Sequence, residues 1–130
     1  MKRLAVIGAG LIGKSHVDRI KRSPRAKLVA IADPMPDAKH FSLAQNVQHF
    51  ETLSALHENC QIDGAILATP NHLHLEQARF LVEHDIPVLI EKPIADSVED
   101  AAAFVSWAES RNAKILVGHH RRHNPLIKKA

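Results

Sequence analysis

Six short apolar runs divide this chain at intervals, and amphipathic stretches fill the gaps between them. The runs are Arg3–Ile7, Lys27–Ala32, a weaker Val47–Phe50, Gly64–Ala68, Pro87–Glu91 and Lys114–Gly118. Most are apolar throughout instead of alternating with polar residues. A strand of that kind is covered on both faces, as in a parallel sheet sandwiched between helices. The intervening stretches carry helix signals. Leu11–Arg22 follows a glycine-rich loop. Pro36–Gln45 opens on a proline, which suits a first helical turn, and Leu53–Glu58 follows Thr52, a good N-cap. Asn71–His84 places Leu75, Ala78, Leu81 and Val82 on one stripe, with Asn71 as its N-cap. Val98–Glu109 places Val98, Ala101, Ala102, Val105 and Ala108 on one stripe, and Ser97 with Asp100 resembles a capping box. The alternation predicts one α/β domain built on an open, doubly wound parallel sheet with strand order 3-2-1-4-5-6.

The loop after the first run narrows this to a phosphate-binding fold of one of two kinds. Gly8, Gly10 and Gly13 match G-x-G-x-x-G, the dinucleotide fingerprint of Rossmann-type domains, while Gly8 to Ser15 also match the P-loop pattern G-x-x-x-x-G-K-[ST]. In the dinucleotide reading Gly8 makes the turn, Gly10 admits the pyrophosphate to the backbone, and Gly13 lets the helix pack closely on the sheet. That reading requires an acid at the end of the second strand, and Asp33 stands there, 25 residues after Gly8. Its carboxylate can accept from ribose hydroxyls and repels a 2′-phosphate, which favours NAD while leaving NADP possible. In the P-loop reading Lys14 reaches the phosphates and Ser15 holds magnesium. Leu11 and Ile12 weigh against it: they suit the first turn of a buried helix better than a wide phosphate-wrapping loop. A surface helix turn accounts for Lys14 and Ser15.

Other function classes are narrowed by composition. The net charge of +3 invites a nucleic-acid partner, but Arg121, Arg122, Lys128 and Lys129 crowd the last ten residues and aromatics are scarce, so no basic, stacking face is expected. No apolar run reaches membrane-spanning length. The lone Cys60 excludes an internal disulfide, and the few apolar residues after Met1-Lys2-Arg3 are too short for a signal core, so the expected location is the cytoplasm. His119, His120 and His123 cluster, but no thiolate lies near them to complete a metal site, and none is expected.

The remaining unusual residues follow strand ends: Ala68-Thr69-Pro70-Asn71-His72-Leu73-His74, Glu91-Lys92-Pro93 and Gly118-His119-His120-Arg121-Arg122. With the glycine loop and Ala32-Asp33, these motifs resemble the N-terminal nucleotide-binding domain of the Gfo/Idh/MocA oxidoreductases, the glucose–fructose oxidoreductase and inositol dehydrogenase group. The resemblance covers essentially the whole chain, and Glu91-Lys92-Pro93 is its most telling part. It implies that Gly8, Gly10, Leu11, Ile12, Gly13, Asp33, Thr69, Pro70, Asn71, His74, Glu91 and Lys92 surround the cofactor. Within that set, Glu91 holds the nicotinamide ribose and Lys92 is the catalytic residue at the substrate hydroxyl, with Arg122 bordering the site. The bland alternative is that Glu91 and Lys92 form an exposed pair of little energetic worth.

The implied substrate is a sugar, inositol or related polyol, and the implied full-length protein is a homo-oligomer. Enzymes of this family add a second, mixed α/β domain that supplies an Asp-x-x-x-His catalytic pair. No such pattern follows Gly118. The expectation is therefore a truncated chain: a nucleotide-binding domain over residues 1–118 and a connector over 119–130. Such a chain binds cofactor without turning over substrate, and exposes apolar surface through which it associates with itself. The alternatives are a non-enzymatic dinucleotide-sensing module and, from the glycine loop alone, a P-loop nucleotide hydrolase.

Overall fold

Strand β1 (Lys2–Ile7) forms the middle of the sheet, and the chain winds outward from it in both directions. A computed structural model of the protein describes residues 1–117. The elements that follow are α1 (Leu11–Arg22), β2 (Ala26–Ala32), α2 (Pro36–Ala44), β3 (Gln48–Phe50), α3 (Leu53–Asn59), β4 (Gly64–Leu67), α4 (Asn71–Glu83), β5 (Val88–Ile90), α5 (Val98–Ser110) and β6 (Ile115–Val117). All neighbouring strands pair in parallel, in the order β3-β2-β1-β4-β5-β6. The fold and strand order expected from the apolar runs are those observed.

Alternation along each strand feeds two cores. Leu4 and Val6 of β1 join Ile31, Ile66 and Leu89 under Val17 and Ile20 of α1 and Ala38 of α2. Ala5 and Ile7 point the other way and join Leu67, Val88 and Ile90 under α3, α4 and α5, through Leu56, Leu81 and Phe104. Both faces are covered, which is why the strands carry no polar alternation.

Thr52 and Ser97 cap their helices as the sequence suggests, accepting from Ala55 N at 3.1 Å and Asp100 N at 3.0 Å. Three readings are corrected. The cap of α4 is Pro70, and Asn71 is the first helical residue. The helix α5 buries Phe104 and Ala108, with Trp107 packed alongside, while Val98 is 85 % exposed and Ala102 and Val105 also face outward. Phe104 outweighs the smaller residues in apolar area, so the helix turns that side to the sheet. Leu11 and Ile12 are 88 % and 45 % exposed. The residues of α1 that face the sheet are Gly13, His16, Val17 and Ile20, leaving the first two on the cleft side. No helix among the described residues is long and apolar enough to cross a membrane. Gly118, the histidine cluster at 119–123, Arg122 and the 119–130 connector lie outside the described residues.

Candidate functional site

The strand order reverses between β1 and β4, and a parallel sheet opens a crevice at the carboxyl ends of the strands where this happens. A cleft of about 700 Å³ lies there. Its walls come from Gly8, Gly10, Leu11 and Ile12 after β1, Asp33 to Met35 after β2, Glu51 to Leu53 after β3, and Thr69 and Pro70 after β4. Leu73 and Gln77 of α4 close one side. A hollow of similar size, about 710 Å³, lies at the opposite, amino-terminal end of the strands, beside Arg3, Cys60 and His84. No phosphate loop opens into it, and burial pushes the Cys60 thiol up, away from the reactive thiolate form.

The glycine loop is built by contacts that admit no side chain at two points and leave a third open. Gly8 has φ +99°, and a Cβ on it would lie 2.6 Å from the Ala68 carbonyl oxygen at the end of β4. A Cβ on Gly13 would lie 1.9 Å from the Gly8 carbonyl oxygen, so α1 rests directly on the loop. Gly10 has nothing within 4 Å of where its Cβ would be. It is also the N-cap of α1 and offers no side-chain acceptor to the helix's first amides. Open space beside uncapped N–H groups at a helix N-terminus fits a phosphate group.

Asp33 ties this loop to the second strand. Its Oδ2 accepts from Ala9 N at 2.8 Å and its Oδ1 from Met35 N at 2.8 Å. A carboxylate has about four lone-pair sites, so each oxygen retains capacity for a further donor such as a ribose hydroxyl. The P-loop reading fails on geometry. The loop is short, the helix begins at Leu11, and Lys14 already lies within it, its Nζ 5.1 Å from the centre of the Phe41 ring on α2.

The other predicted residues lie beside the cleft, joined by buried histidines. Thr69 Oγ1 donates to Gln77 Oε1 at 2.6 Å. His74, 1 % exposed, has Nε2 2.8 Å from the Thr69 carbonyl oxygen and Nδ1 3.0 Å from that of Pro93. Both partners accept only, so a neutral ring donates to one at a time and an imidazolium to both. His74 thus clasps the loop after β4 to the loop after β5 and has no ring nitrogen left for a ligand. Asn71 and Lys92 are exposed, and the Lys92–Pro93 peptide is cis.

Glu91 and Lys92 are not an exposed pair. Glu91 is 5 % exposed, continues the β4–β5 ladder through its N–H to the Leu67 carbonyl at 3.1 Å, and accepts on Oε1 from Nε2 of His16. His16 is 4 % exposed. Its Nδ1 and Glu91 Oε2 are buried with no hydrogen-bond partner among the described residues. An unmet buried polar atom costs about 1–3 kcal/mol, so the arrangement is a costly one to keep. His16 is the partner of Glu91 that motif reading missed. The available signal was a polar residue among Gly13, Val17 and Ile20 on the sheet-facing side of α1. No group of three or more His, Cys, Asp or Glu among the described residues has the geometry to hold a metal ion.

Comparison with known proteins agrees with this geometry. Residues 2–119 match the family described as Gfo/Idh/MocA, oxidoreductase family, NAD-binding Rossmann fold. The rhizopine catabolism protein MocA of Rhizobium meliloti is 32 % identical over 127 residues, which is 97 % of this chain and 40 % of that protein. Inositol 2-dehydrogenase of Rhizobium meliloti strain 1021 is 29 % identical over 95 % of this chain and 37 % of its own length. The WlbA dehydrogenase of Bordetella pertussis, solved in complex with NADH and UDP-GlcNAcA, superposes with a TM-score of 0.83 at 31 % identity, over 90 % of this chain and 34 % of that one. The chain thus spans about two fifths of the curated relatives it matches. It belongs to the Gfo/Idh/MocA oxidoreductase family, as an NAD-binding Rossmann domain.

Proposed function

We propose that this chain is the nucleotide-binding part of an oxidoreductase that moves hydride between nicotinamide and a hydroxyl-bearing carbon of a sugar, inositol or related polyol. The observation that carries the proposal is the joining of the cofactor cleft to the Glu91-Lys92-Pro93 turn through His74, which bridges Thr69 on the cleft wall and Pro93 beside Lys92. The relatives named as dehydrogenases of inositol support the substrate class.

In this reading Gly8, Gly10 and Gly13 shape the pyrophosphate seat, with Leu11 and Ile12 on its cleft side. Asp33 takes the adenosine ribose hydroxyls on its free lone pairs, and its negative charge disfavours a 2′-phosphate. Thr69, Pro70 and Asn71 flank the nicotinamide side. Nicotinamide supplies the hydride acceptor when bound. Glu91 contributes to the nicotinamide ribose site. Lys92 points its ammonium at the substrate hydroxyl and stabilises the negative charge that develops on that oxygen as its C–H bond breaks. Residues 119–130 are proposed as the connector to substrate-binding residues outside this chain, which also supply the proton acceptor.

Calorimetric titration with NADH, NADPH and MgATP tests the reading. NADH binds most tightly, NADPH more weakly and MgATP not at all. The 130-residue chain shows no steady-state NAD reduction with inositols or aldoses. Turnover by this chain alone, or MgATP binding without NADH binding, overturns it.

A further inference from the structure

We infer that His16 is a positioning residue for the nicotinamide half of the cofactor, acting through Glu91. The inference rests on the proposed function and concerns a residue outside the glycine fingerprint. Three observations carry it.

The first is where the pair sits. His16 lies on the sheet side of α1, one turn beyond the glycine loop, and Glu91 closes the β4–β5 ladder. Their hydrogen bond joins residues 75 positions apart. It ties the helix whose N-terminus faces the phosphate seat to the strand end that carries Lys92. The second is exposure. Glu91 is buried against His16, whereas Lys92, next in the chain, is exposed. The third is the remainder of the pair. Glu91 Oε2 is buried and has no partner among the described residues. A purely structural pair of this kind is normally fully satisfied. Glu91 does not line the cleft, but its N–H bonds the carbonyl of Leu67, the residue before Ala68 on the cleft wall. An unmet acceptor at that depth is the group that a ribose hydroxyl would engage, provided that Oε1 is held still.

The test measures NADH and ADP affinity for the wild-type chain and for His16→Gln, His16→Met and the double variant His16→Met/Glu91→Met, with thermal unfolding of each. ADP carries only the adenine half and is the internal control. Gln places a donor near the position of His Nε2, so His16→Gln holds NADH within about threefold of wild type. His16→Met weakens NADH about tenfold, the effect of one lost hydrogen bond, and leaves ADP within about twofold. The double variant removes both buried polar partners and so regains stability. It still binds NADH about tenfold more weakly. That separation of affinity from stability is what a merely structural pair would not give. The inference is overturned if the double variant binds NADH like wild type, if NADH and ADP weaken together, or if His16→Gln loses as much as His16→Met. A wild-type chain that binds ADP but not NADH overturns the proposed function itself.

Discussion

Alanine at Gly10 and alanine at Gly13 should have opposite consequences, although both replace a glycine of the same fingerprint. At Gly13 a Cβ would stand 1.9 Å from the Gly8 carbonyl oxygen, where real Cβ atoms essentially never come within 3.0 Å. The helix α1 must therefore retreat by at least 1.1 Å. The atom in the way is backbone, and it cannot swing aside, because its peptide plane is held by the Ala9 N–H to Asp33 Oδ2 at 2.8 Å. Overpacking costs about 1–3 kcal/mol, and a clash with fixed backbone belongs at the upper end. The better helix propensity of alanine returns at most about 1 kcal/mol. The net loss is about 2 kcal/mol, or about 8 °C in Tm for a domain of this size.

At Gly10 the backbone angles, φ −77° and ψ −164°, suit any residue, and the space around the Cβ is empty. Stability falls by less than about 1 kcal/mol, the weaker N-cap preference of alanine being the only cost. In the proposed function that empty space is where the pyrophosphate approaches the backbone, so NADH affinity is expected to drop by about tenfold or more. Thermal denaturation followed by circular dichroism, paired with NADH titration, measures both quantities. The reasoning fails if Gly10→Ala melts as early as Gly13→Ala, if it binds NADH like wild type, or if Gly13→Ala melts within about 2 °C of wild type.

Asp33→Ala removes the acceptor for two backbone N–H groups and should cost about 2 kcal/mol in urea denaturation. NADH affinity falls further than NADPH affinity, and equal losses would sink the ribose assignment. The Arg3 guanidinium and backbone N–H beside Asp63 hold its carboxyl below the ordinary value of 3.8. Its stabilising contribution is then complete at neutral pH and disappears as the solution is acidified below that value. Asp63→Asn accordingly lowers Tm at pH 7 and matches wild type once the wild-type carboxyl is protonated. An equal deficit at both pH values would mean that the Arg3 contact acts by shape and not by charge.

The sheet was readable because its constraint is local and repeated. Every strand of a doubly covered parallel sheet has to be apolar on both sides, and the runs from Leu4 to Ile7, from Gly64 to Leu67 and from Val88 to Ile90 show it without reference to anything distant. Caps such as Thr52 and Ser97 are equally local, since donor and acceptor lie three residues apart. Helix α5 was misread because its apolar residues outnumber the places available. Val98, Ala102 and Val105 form as regular a stripe as Phe104 and Ala108, and it is the larger apolar area of Phe104 that decides which side turns inward.

The site was legible where backbone geometry demands a residue type, and obscure where side chains meet across the fold. Gly8 and Gly13 are required by atoms a few residues away or on the neighbouring strand end, and a spacing rule captures that requirement. Asp33 marks itself by ending an apolar strand. His16 and His74 carry a fainter mark: His74 enters only through the family resemblance, and His16 only as a polar residue on the apolar side of α1. Their partners, Glu91 for the one and the Thr69 and Pro93 carbonyls for the other, stand at the carboxyl ends of β4 and β5. Only the completed sheet brings those ends level with each other and with the first turns of α1 and α4. The same completed sheet separates two residues adjacent in sequence: Glu91 is buried against His16, and Lys92 is left exposed.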